Sequence, residues 1–415
     1  AVFVIIRLAE RLQIFRHPSG KPCNLRQRIV QCFQSLFKNC FLQKHSDGER
    51  REKMADIQLM EELSNAFGPS GFEEEVCRVI YRHTREFQVT NDAMCNVYMR
   101  RKDFSGKKPV VMLDAHLDEC GFMVQSIREN GLLNILTLGG FHLTSLPAHS
   151  VIVRNGKGER IRGIITSKPV HFLKESEKGN QDLDIENLAV DVGAGSRKEV
   201  EESYGIRPGD PIMPDVLFEY QEKRGICFGK AFDNRLGCAC VVETMRALEQ
   251  ENSLGVDVVG AFAAQEEVGT RGAAVTAQAV KPDLAIVFEG SPADDFYYAP
   301  GLAQCVMGGR VQIRHIDKSY ISNPVFIELA HRIGDAMGIP YQDAVRRGGS
   351  TNAGKISLEG QAVPVLVLGI PSRYVHSHYN FCAVKDMDAA VDMAAGVIRS
   401  LDQETISRIL RKDLV

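Results

Sequence analysis

Tryptophan is absent from this chain of 415 residues, and aromatic residues make up only 7% of it. The low aromatic content argues against a sugar-binding site, which usually needs aromatic platforms. The 11 cysteines are odd in number and never spaced C-x-x-C, so they favour free thiols in a reducing compartment. No apolar run approaches the ~18 residues of a membrane span, and the first residues lack the features of a signal peptide. We therefore expect a cytoplasmic protein without membrane contact.

A large excess of charge is also missing, because the net charge is only −3, which disfavours a nucleic-acid partner. The charge is nevertheless unevenly distributed. Residues 1–53 contain 11 Lys/Arg and 4 Asp/Glu, a net +7, whereas the rest of the chain carries −10. We expect residues 1–53 to be a leader outside the working protein, with Met54 as the true start. The alternative is a basic amphipathic arm, at residues 29–42, that docks on a partner or a membrane surface.

Helical and strand patterns alternate from residue 54 onward, which is typical of an α/β protein. Apolar runs at residues 110–113, 256–264, 284–288 and 363–368 predict buried strands, and the alternation predicts a mainly parallel sheet flanked by helices. Residues 121–213 differ, since they are rich in glycine and β-branched residues and contain no strong helix before residue 198. They predict a small β-rich domain inserted between catalytic parts at residues 54–120 and 214–415.

Possible metal ligands follow the predicted strands, where open α/β sheets place their active sites. His116 follows the first strand, and Asp118 is close enough in sequence to orient its imidazole. Alone, His116 is more often an ordinary loop histidine, and Asp233 before a helix could simply be an N-cap. The pair Glu266 and Glu267 is more specific. Adjacent carboxylates repel each other and resist burial, and a metal bound by one of them would offset that cost while the other acts as a base.

Two more possible ligands, Glu289 and His376, also follow predicted strands. The nearby His378 is an alternative to His376. Two imidazoles and three carboxylates exceed the ligands of one ion but suit two divalent ions ~3.5–4 Å apart that share a carboxylate. Such donors favour zinc or cobalt. The predicted ligands are His116, Asp233, Glu267, Glu289 and His376.

Six motifs in this order resemble those of one enzyme family: AHLDECGFMV, GKAFDNRLGC, AAQEEVGTRGA, FEG, GGSTNAGKI and RYVHS. The chain from about residue 54 to its end resembles the tetrahedral (TET) metallo-aminopeptidases, the family of glutamyl aminopeptidase and the so-called cellulase M proteins. The resemblance implies that the β-rich insert is a dimerisation domain and that dimers build a dodecamer. It also implies a cis peptide bond after Asp233.

The resemblance further implies a role for each site residue. His116, Asp233 and Glu289 would bind one metal, and Glu267 and His376 would bind the other, with Asp233 shared by both. Glu266 would be the general base, and Asp118 would support the ligand His116.

Two positions depart from the family pattern. Glu289 stands where many relatives carry Asp, a choice that tends to follow aminopeptidase or carboxypeptidase activity in related zinc peptidases. Asn352 stands where we expect Asp, in a loop near the site, so substrate preference could differ. The neighbouring Arg346 and Arg347 favour acidic substrates or are merely solvated, and residues 294–295 either bind a substrate amine or form a solvated turn.

We therefore predict a dinuclear metallo-aminopeptidase that trims short peptides, with a metal-bridged water as nucleophile and Glu266 as its base. The first alternative is a deacylase or carboxypeptidase of the same clan that uses the same two-metal site. A glycoside hydrolase, which the cellulase label suggests, would need two suitably spaced carboxylates and is disfavoured by the scarcity of aromatic residues. A catalytically inactive scaffold is disfavoured by the intact Glu266–Glu267 pair and both histidines.

Overall fold

The structure of the protein is a computed structural model. It describes residues 55–167, 170–172, 184–251 and 254–414. The predicted leader, residues 1–53, lies outside the described residues. Within the described part of the chain, no helix combines the length and the apolar character that a membrane span requires.

The secondary structure alternates between helices and strands, apart from a strand-rich stretch between β4 and β9. The strands are β1 Gln88–Asn91, β2 Val97–Arg100, β3 Val110–His116, β4 Gly121–Ile127, β5 Leu133–Leu138, β6 Ser150–Arg154, β7 Arg160–Ile165, β8 Ala189–Asp191, β9 Pro211–Pro214, β10 Glu219–Gln221, β11 Ile226–Gly229, β12 Asp257–Ala263, β13 Leu284–Pro292, β14 Val311–Ile316, β15 Tyr341–Val345, β16 Val365–Arg373 and β17 Asn380–Ala383. The helices are α1 Ile57–Asn65, α2 Glu74–His83, α3 Arg197–Glu202, α4 Phe232–Leu248, α5 Arg271–Val280, α6 Pro324–Met337, α7 Ala353–Ile356, α8 Val384–Arg399 and α9 Gln403–Ile409.

A sheet of 11 described strands forms the main layer, with the order β1-β2-β12-β3-β13-β16-β17-β11-β10 and with β14 and β15 beside β16. Its centre, β12-β3-β13-β16, is parallel. The pairings on either side are antiparallel. The exception is β15, which lies beside β14 and is parallel to it. The prediction of a mainly parallel sheet is therefore wrong outside the centre. The flanking strands β1, β2, β10, β11 and β17 have only three or four residues each, too few to produce the apolar runs on which the prediction relied.

Both faces of the parallel centre are buried, which explains why its strands are continuously apolar. On β3, Val111 and Leu113 belong to a core shared with α4 and α8. The intervening Met112 belongs to a second core on the other face, with Ala277 of α5 and Ile356 of α7. The sheet is thus covered on both sides, and the carboxyl ends of its parallel strands form one edge.

The strands β4 to β9 form a separate closed barrel, in the order β4-β5-β8-β7-β6-β9. Its own core contains Phe122, Val151, Val190 and Ile212, all fully buried. The barrel begins at Gly121 and its last strand ends at Pro214, which places it inside the chain of the sheet domain.

Candidate active site

His116 is the last residue of β3 and lies at the carboxyl edge of the parallel strands. Its side chain is 1% exposed. The Nε2 atom lies 3.0 Å from Oδ1 of Asp233. On the other side of the ring, Nδ1 is 3.2 Å from the main-chain oxygen of Asp118 and 3.4 Å from its Oδ1. The imidazole is therefore held from both sides, as a ligand oriented by a neighbouring carboxylate requires.

Asp233 lies between two histidines. While Oδ1 faces His116, Oδ2 lies 3.4 Å from Nε2 of His376. The peptide bond between Asp233 and Asn234 is cis, which agrees with the prediction. The Asn234 side chain, which the sequence reasoning missed, donates a hydrogen bond of 2.8 Å to the carbonyl oxygen of Phe288. This contact ties the start of α4 to β13.

A close approach of two backbones completes the same junction. A Cβ atom on Gly290 of β13 would lie 2.6 Å from the carbonyl oxygen of Phe232. Only glycine fits there, and its absent side chain lets β13 pass directly beside the start of α4. Glu289, the preceding residue, consequently reaches the cluster, with Oε1 4.0 Å from Nε2 of His116.

Glu266 and Glu267 follow β12 and point to different parts of the cluster. Oε2 of Glu266 lies 4.0 Å from Nε2 of His116. Oε2 of Glu267 lies 3.5 Å from Nε2 of His376. The backbone turns sharply before them, because Gln265 has a φ of +56°. The structure thus brings all five predicted ligands and Glu266 to one place.

The competing histidine, His378, is elsewhere. It is buried against the ring of His149, with centroids 4.4 Å apart. Burial, with the nearby His149, lowers the pKa of His378 to about 3. The neutral ring of His378 packs against His149, which precedes the barrel strand β6. His376, in contrast, reaches the carboxylates at the edge of the cavity.

Negative charge is concentrated in the cluster. Burial, reinforced by the nearby Glu267 and only partly opposed by His116, raises the pKa of Glu266 to about 8. Burial also raises the pKa of Glu267 to about 7, with His376 acting in the opposite direction and Asp233 in the same one. These carboxylates resist ionisation because too few positive charges surround them, which is the condition that bound cations relieve.

Three sets of donor atoms in the cluster could hold a metal ion, and within each set the atoms lie within 4.8 Å of one another. The sets are His116, Asp233 and Glu289; Cys120, Glu267 and His376; and His116, Glu266 and Glu267. Oε1 of Glu267 is buried and has no hydrogen-bond partner among the described residues. A buried oxygen of this kind fits a carboxylate whose natural partner is a cation.

Cys120 was not predicted as part of the site. It lies two residues beyond Asp118, within the motif that carries His116, but a single thiol among many gives no signal of its own. Its buried Sγ donates to the carbonyl oxygen of Gly140 at 3.6 Å. Burial and the charge of Glu267 raise its pKa well above the usual range, so the thiol is protonated here.

Beneath the cluster lies a buried ionic network that the sequence reasoning also missed. The ammonium group of Lys230 donates to both carboxylate oxygens of Glu119, at 2.6 and 2.7 Å. Arg235 lies 3.3 Å from the same carboxylate and donates at 2.6 Å to the carbonyl oxygen of Leu117. The network fixes the loop that follows β3 against the start of α4, so His116 and Asp233 keep their relative positions.

The cluster opens into a cavity of about 830 Å³. The cavity is also lined by the predicted specificity residues Arg346 and Arg347, together with Arg314. Arg346 is paired with Asp294 at 3.3 Å, while Arg347 is exposed. The cavity is thus lined by both carboxylates and arginines, and it is large enough for the end of a peptide.

The structure corrects the prediction for residues 294–295, while the effect of Asn352 on substrate preference stays a prediction. Asp294 neither forms a solvated turn nor has a carboxylate free for a substrate amine, because its Oδ1 accepts the backbone N–H of Cys305 at 2.9 Å and it also pairs with Arg346. Asp295 is bound to Arg373. Asn352 is 1% exposed and donates a hydrogen bond of 2.7 Å to Oδ2 of Asp114, below the site. Its side chain therefore supports β3 and is not among the residues that line the cavity.

Comparison with known proteins agrees with this geometry. Residues 95–393 match the family model of M42 glutamyl aminopeptidase. The chain is 32% identical over 359 residues to the putative aminopeptidase FrvX of Escherichia coli, an alignment that covers 85% of this chain and 97% of FrvX. The chain therefore belongs to the M42 glutamyl aminopeptidase family, and it is a peptidase. The resemblance to the TET aminopeptidases is confirmed.

Solved structures give the same result. The TET aminopeptidase from the marine sediment archaeon Thaumarchaeota archaeon SCGC AB-539-E09 is 35% identical, with a TM-score of 0.81 over 85% of this chain and 99% of that one. PhTET1-12s, whose structure is a dodecamer, is 25% identical, with a TM-score of 0.73 over 84% of this chain and all of its own. The mixed α/β fold with a central sheet and flanking helices is shared with both.

Proposed function

We propose that this peptidase is a dinuclear metal-dependent aminopeptidase that removes N-terminal residues from short peptides. The observation that carries the proposal is the position of Asp233, with one carboxylate oxygen toward His116 and the other toward His376. A carboxylate between two imidazoles, with further carboxylates on each side, supports a pair of ions that share it.

The donor set fits zinc or cobalt. In our assignment, His116, Asp233 and Glu289 hold one ion, while Asp233, Glu267 and His376 hold the other. Donor atoms 3.0–4.0 Å apart suit ligands that each lie ~2.0–2.2 Å from a shared ion. When bound, the two ions would supply Lewis-acid chemistry, polarising the scissile carbonyl and activating water for attack.

Glu266 moves the proton in this proposal. Its side chain lines the cavity beside the proposed ligands without being one of them, which is the position that a general base requires. The carboxylate takes the proton from the attacking water and delivers it to the nitrogen of the leaving amine. Asp118 holds the ring of His116 and the backbone of Glu266, so it is a positioning residue.

The barrel would be the subunit contact. We propose that residues 121–213 form a dimerisation domain inserted between catalytic parts at residues 54–120 and 214–415, and that dimers assemble into a dodecamer. The support is the likeness to PhTET1-12s and the exposure of apolar side chains in this stretch, including Ile164 at 52% and Phe172 at 70%. Light scattering of the purified protein should show a large assembly, and a fully active monomer would contradict this assignment.

A panel of substrates whose N-termini are either free or blocked tests the proposed activity. The purified enzyme is supplied with zinc or cobalt, its metal content is measured, and it is assayed with aminoacyl p-nitroanilides, N-acyl amino acids and N-blocked peptides that have a free carboxyl end. We expect at least two ions per chain and turnover of the aminoacyl compounds only. Turnover restricted to acylated or N-blocked substrates would favour the deacylase or carboxypeptidase alternative.

A further inference from the structure

A second cluster of metal-binding side chains lies outside the active site. It consists of His315 on β14, His331 on α6 and Asp343 on β15. The Nε2 atoms of both histidines lie 2.7 Å from the same atom, Oδ1 of Asp343. None of the three side chains lines the catalytic cavity. Residues far apart in sequence thus aim two imidazoles and one carboxylate at a single point.

The local backbone helps to place His315. Strands β14 and β15 pair in parallel, with Ile313 opposite Asp343, and their register shifts between Arg314 and Ile316. His315 is the extra residue at this shift. Irregularities of this kind redirect a side chain relative to a regular strand, and they often lie next to functional sites.

The ring of His331 is held independently of the carboxylate. It is stacked on Tyr341, with centroids 5.0 Å apart and an angle of 19° between the planes. The Tyr341 hydroxyl donates to Oδ1 of Asp335 at 3.1 Å, which fixes the ring below. Because packing restrains this ligand in advance, little side-chain freedom remains to be lost when an ion binds.

All three side chains of the cluster are at least partly accessible to solvent. The side chains are 33%, 29% and 48% exposed for His315, His331 and Asp343, respectively. One side of the cluster therefore faces solvent, and water molecules can complete a coordination shell.

We propose that His315, His331 and Asp343 form an additional binding site for a divalent transition metal, with zinc as the best match. Two imidazoles, one carboxylate and a solvent-facing position are a familiar ligand set for this ion. When the ion binds between them, each ring coordinates through Nε2 and keeps its proton on Nδ1. The ion links β14, β15 and α6.

The position of the site suggests what the ion does. Strand β15 ends at Val345 and continues directly into residues 346–350, which line the catalytic cavity. Arg314, the neighbour of His315, also lines this cavity. A metal that fixes β14 and β15 therefore also fixes this part of the cavity lining, although it touches no substrate.

Counting zinc in matched variants tests the proposal. The full-length enzyme and its variants are equilibrated with zinc chloride at a series of free concentrations and analysed for bound zinc. We expect His331→Gln and Asp343→Asn to bind one zinc fewer per chain than the unsubstituted enzyme. His171→Gln, which changes an exposed histidine elsewhere, should bind as much as the unsubstituted enzyme. Because the result is a difference, it does not depend on how many ions the catalytic cluster holds.

Equal zinc content in all variants at every concentration would overturn the proposal and leave the cluster as an ion pair. Circular dichroism establishes that each variant is folded. If neither cluster variant folds, crystals of the unsubstituted enzyme soaked in zinc chloride decide the question by anomalous scattering. A peak between the three side chains supports the site, and its absence when zinc is present at the catalytic cluster contradicts it.

Discussion

Oδ1 of Asp118 accepts the backbone N–H of Glu266 at 2.8 Å. The other oxygen of the same carboxylate accepts the N–H of Glu267 at 3.1 Å and the hydroxyl of Ser70 at 2.5 Å. Since Oδ1 also faces His116, one buried side chain connects the end of β3 with the loop after β12. A proposed ligand and the proposed base are thus positioned by the same group.

Replacing Asp118 with Asn tests this connection. The amide retains one acceptor oxygen, but its NH₂ group would face a backbone N–H, so the loop and the His116 ring lose their common support. We expect metal affinity to fall about 10–100-fold, the usual effect of removing a carboxylate behind a ligand histidine. Metal titration measures the effect. Ser70→Ala, which removes one hydrogen bond from the same carboxylate, should have a smaller effect, and equal effects would argue against the special role of Asp118.

Replacing Glu266 with Gln should separate metal binding from proton transfer. The proposed ligands are unchanged, so we expect the metal content to be retained. The amide cannot carry the proton, so kcat should fall on the order of 10²- to 10⁴-fold. Metal analysis and steady-state kinetics on the same sample provide the measurement. Near-normal turnover in a metal-loaded variant would rule out Glu266 as the base.

The matched control for this experiment is Glu267→Gln, since the two residues are adjacent and chemically identical. Glu267 lies against His376 and has a buried oxygen without a partner, so its substitution should weaken metal binding itself. If both variants lose the same amount of metal, the assignment of different roles to the two glutamates is wrong.

Arg347 is expected to influence the choice of substrate. It is exposed and lines the cavity, whereas its neighbour Arg346 is already paired with Asp294. A screened charge contributes up to roughly 1 kcal/mol, which corresponds to about a fivefold change in rate. We therefore expect Arg347→Ala to lower kcat/KM for glutamyl p-nitroanilide about three- to fivefold relative to the leucyl compound. An unchanged ratio would show that the arginine is merely solvated.

Asp386 should make stability depend on pH. This residue of α8 accepts the backbone N–H groups of Gly308 and Arg310, and burial raises its pKa from 3.8 to about 6. Between these values the folded protein keeps a proton that the unfolded chain releases, so stability falls as the pH rises through this window. The loss is roughly 1–3 kcal/mol at pH 7.

The variant Asp386→Asn provides the comparison, because an amide does not titrate. Thermal unfolding of both proteins should be followed in steps between pH 4 and pH 7. The substitution also removes an acceptor, which shifts all midpoints of the variant by a similar amount. We expect the unsubstituted enzyme to lose stability relative to the variant as the pH rises. Parallel curves would show that the carboxylate does not titrate in this range.

The sequence was informative where burial imposes a long apolar run. The strand predicted at residues 110–113 is the core of β3, and the strand predicted at residues 284–288 is the first half of β13. It was uninformative for β11 and β17, which pair with each other at one side of the sheet. Four residues carry too little periodicity to reveal a strand, and the direction in which a strand runs depends on partners distant in sequence.

The residues of the candidate site likewise fall into those that the sequence could reveal and those that it could not. His116, Glu266 and Glu289 could be singled out because each lies within three residues of the end of a predicted apolar run, and the ends of such runs in parallel strands meet at one edge. Cys120 and the buried Lys230 could not, because their importance arises from contacts made across the fold. The contact of Asn352 with Asp114 could not be predicted for a related reason, since proximity of a loop to the cavity does not reveal in which direction a side chain points.

Gly121 opens the first strand of the barrel, and Asp118 is separated from it by Glu119 and Cys120 alone. A Cβ atom on Gly121 would lie 2.6 Å from the carbonyl oxygen of Ile212 and 2.9 Å from Pro69, so this crossing is closely packed. Such a short, tight connection cannot act as a flexible hinge. A displacement of the barrel, caused by a neighbouring subunit or by a ligand, would therefore also move the loop that orients His116. The geometry of the catalytic cluster would change with the position of the barrel.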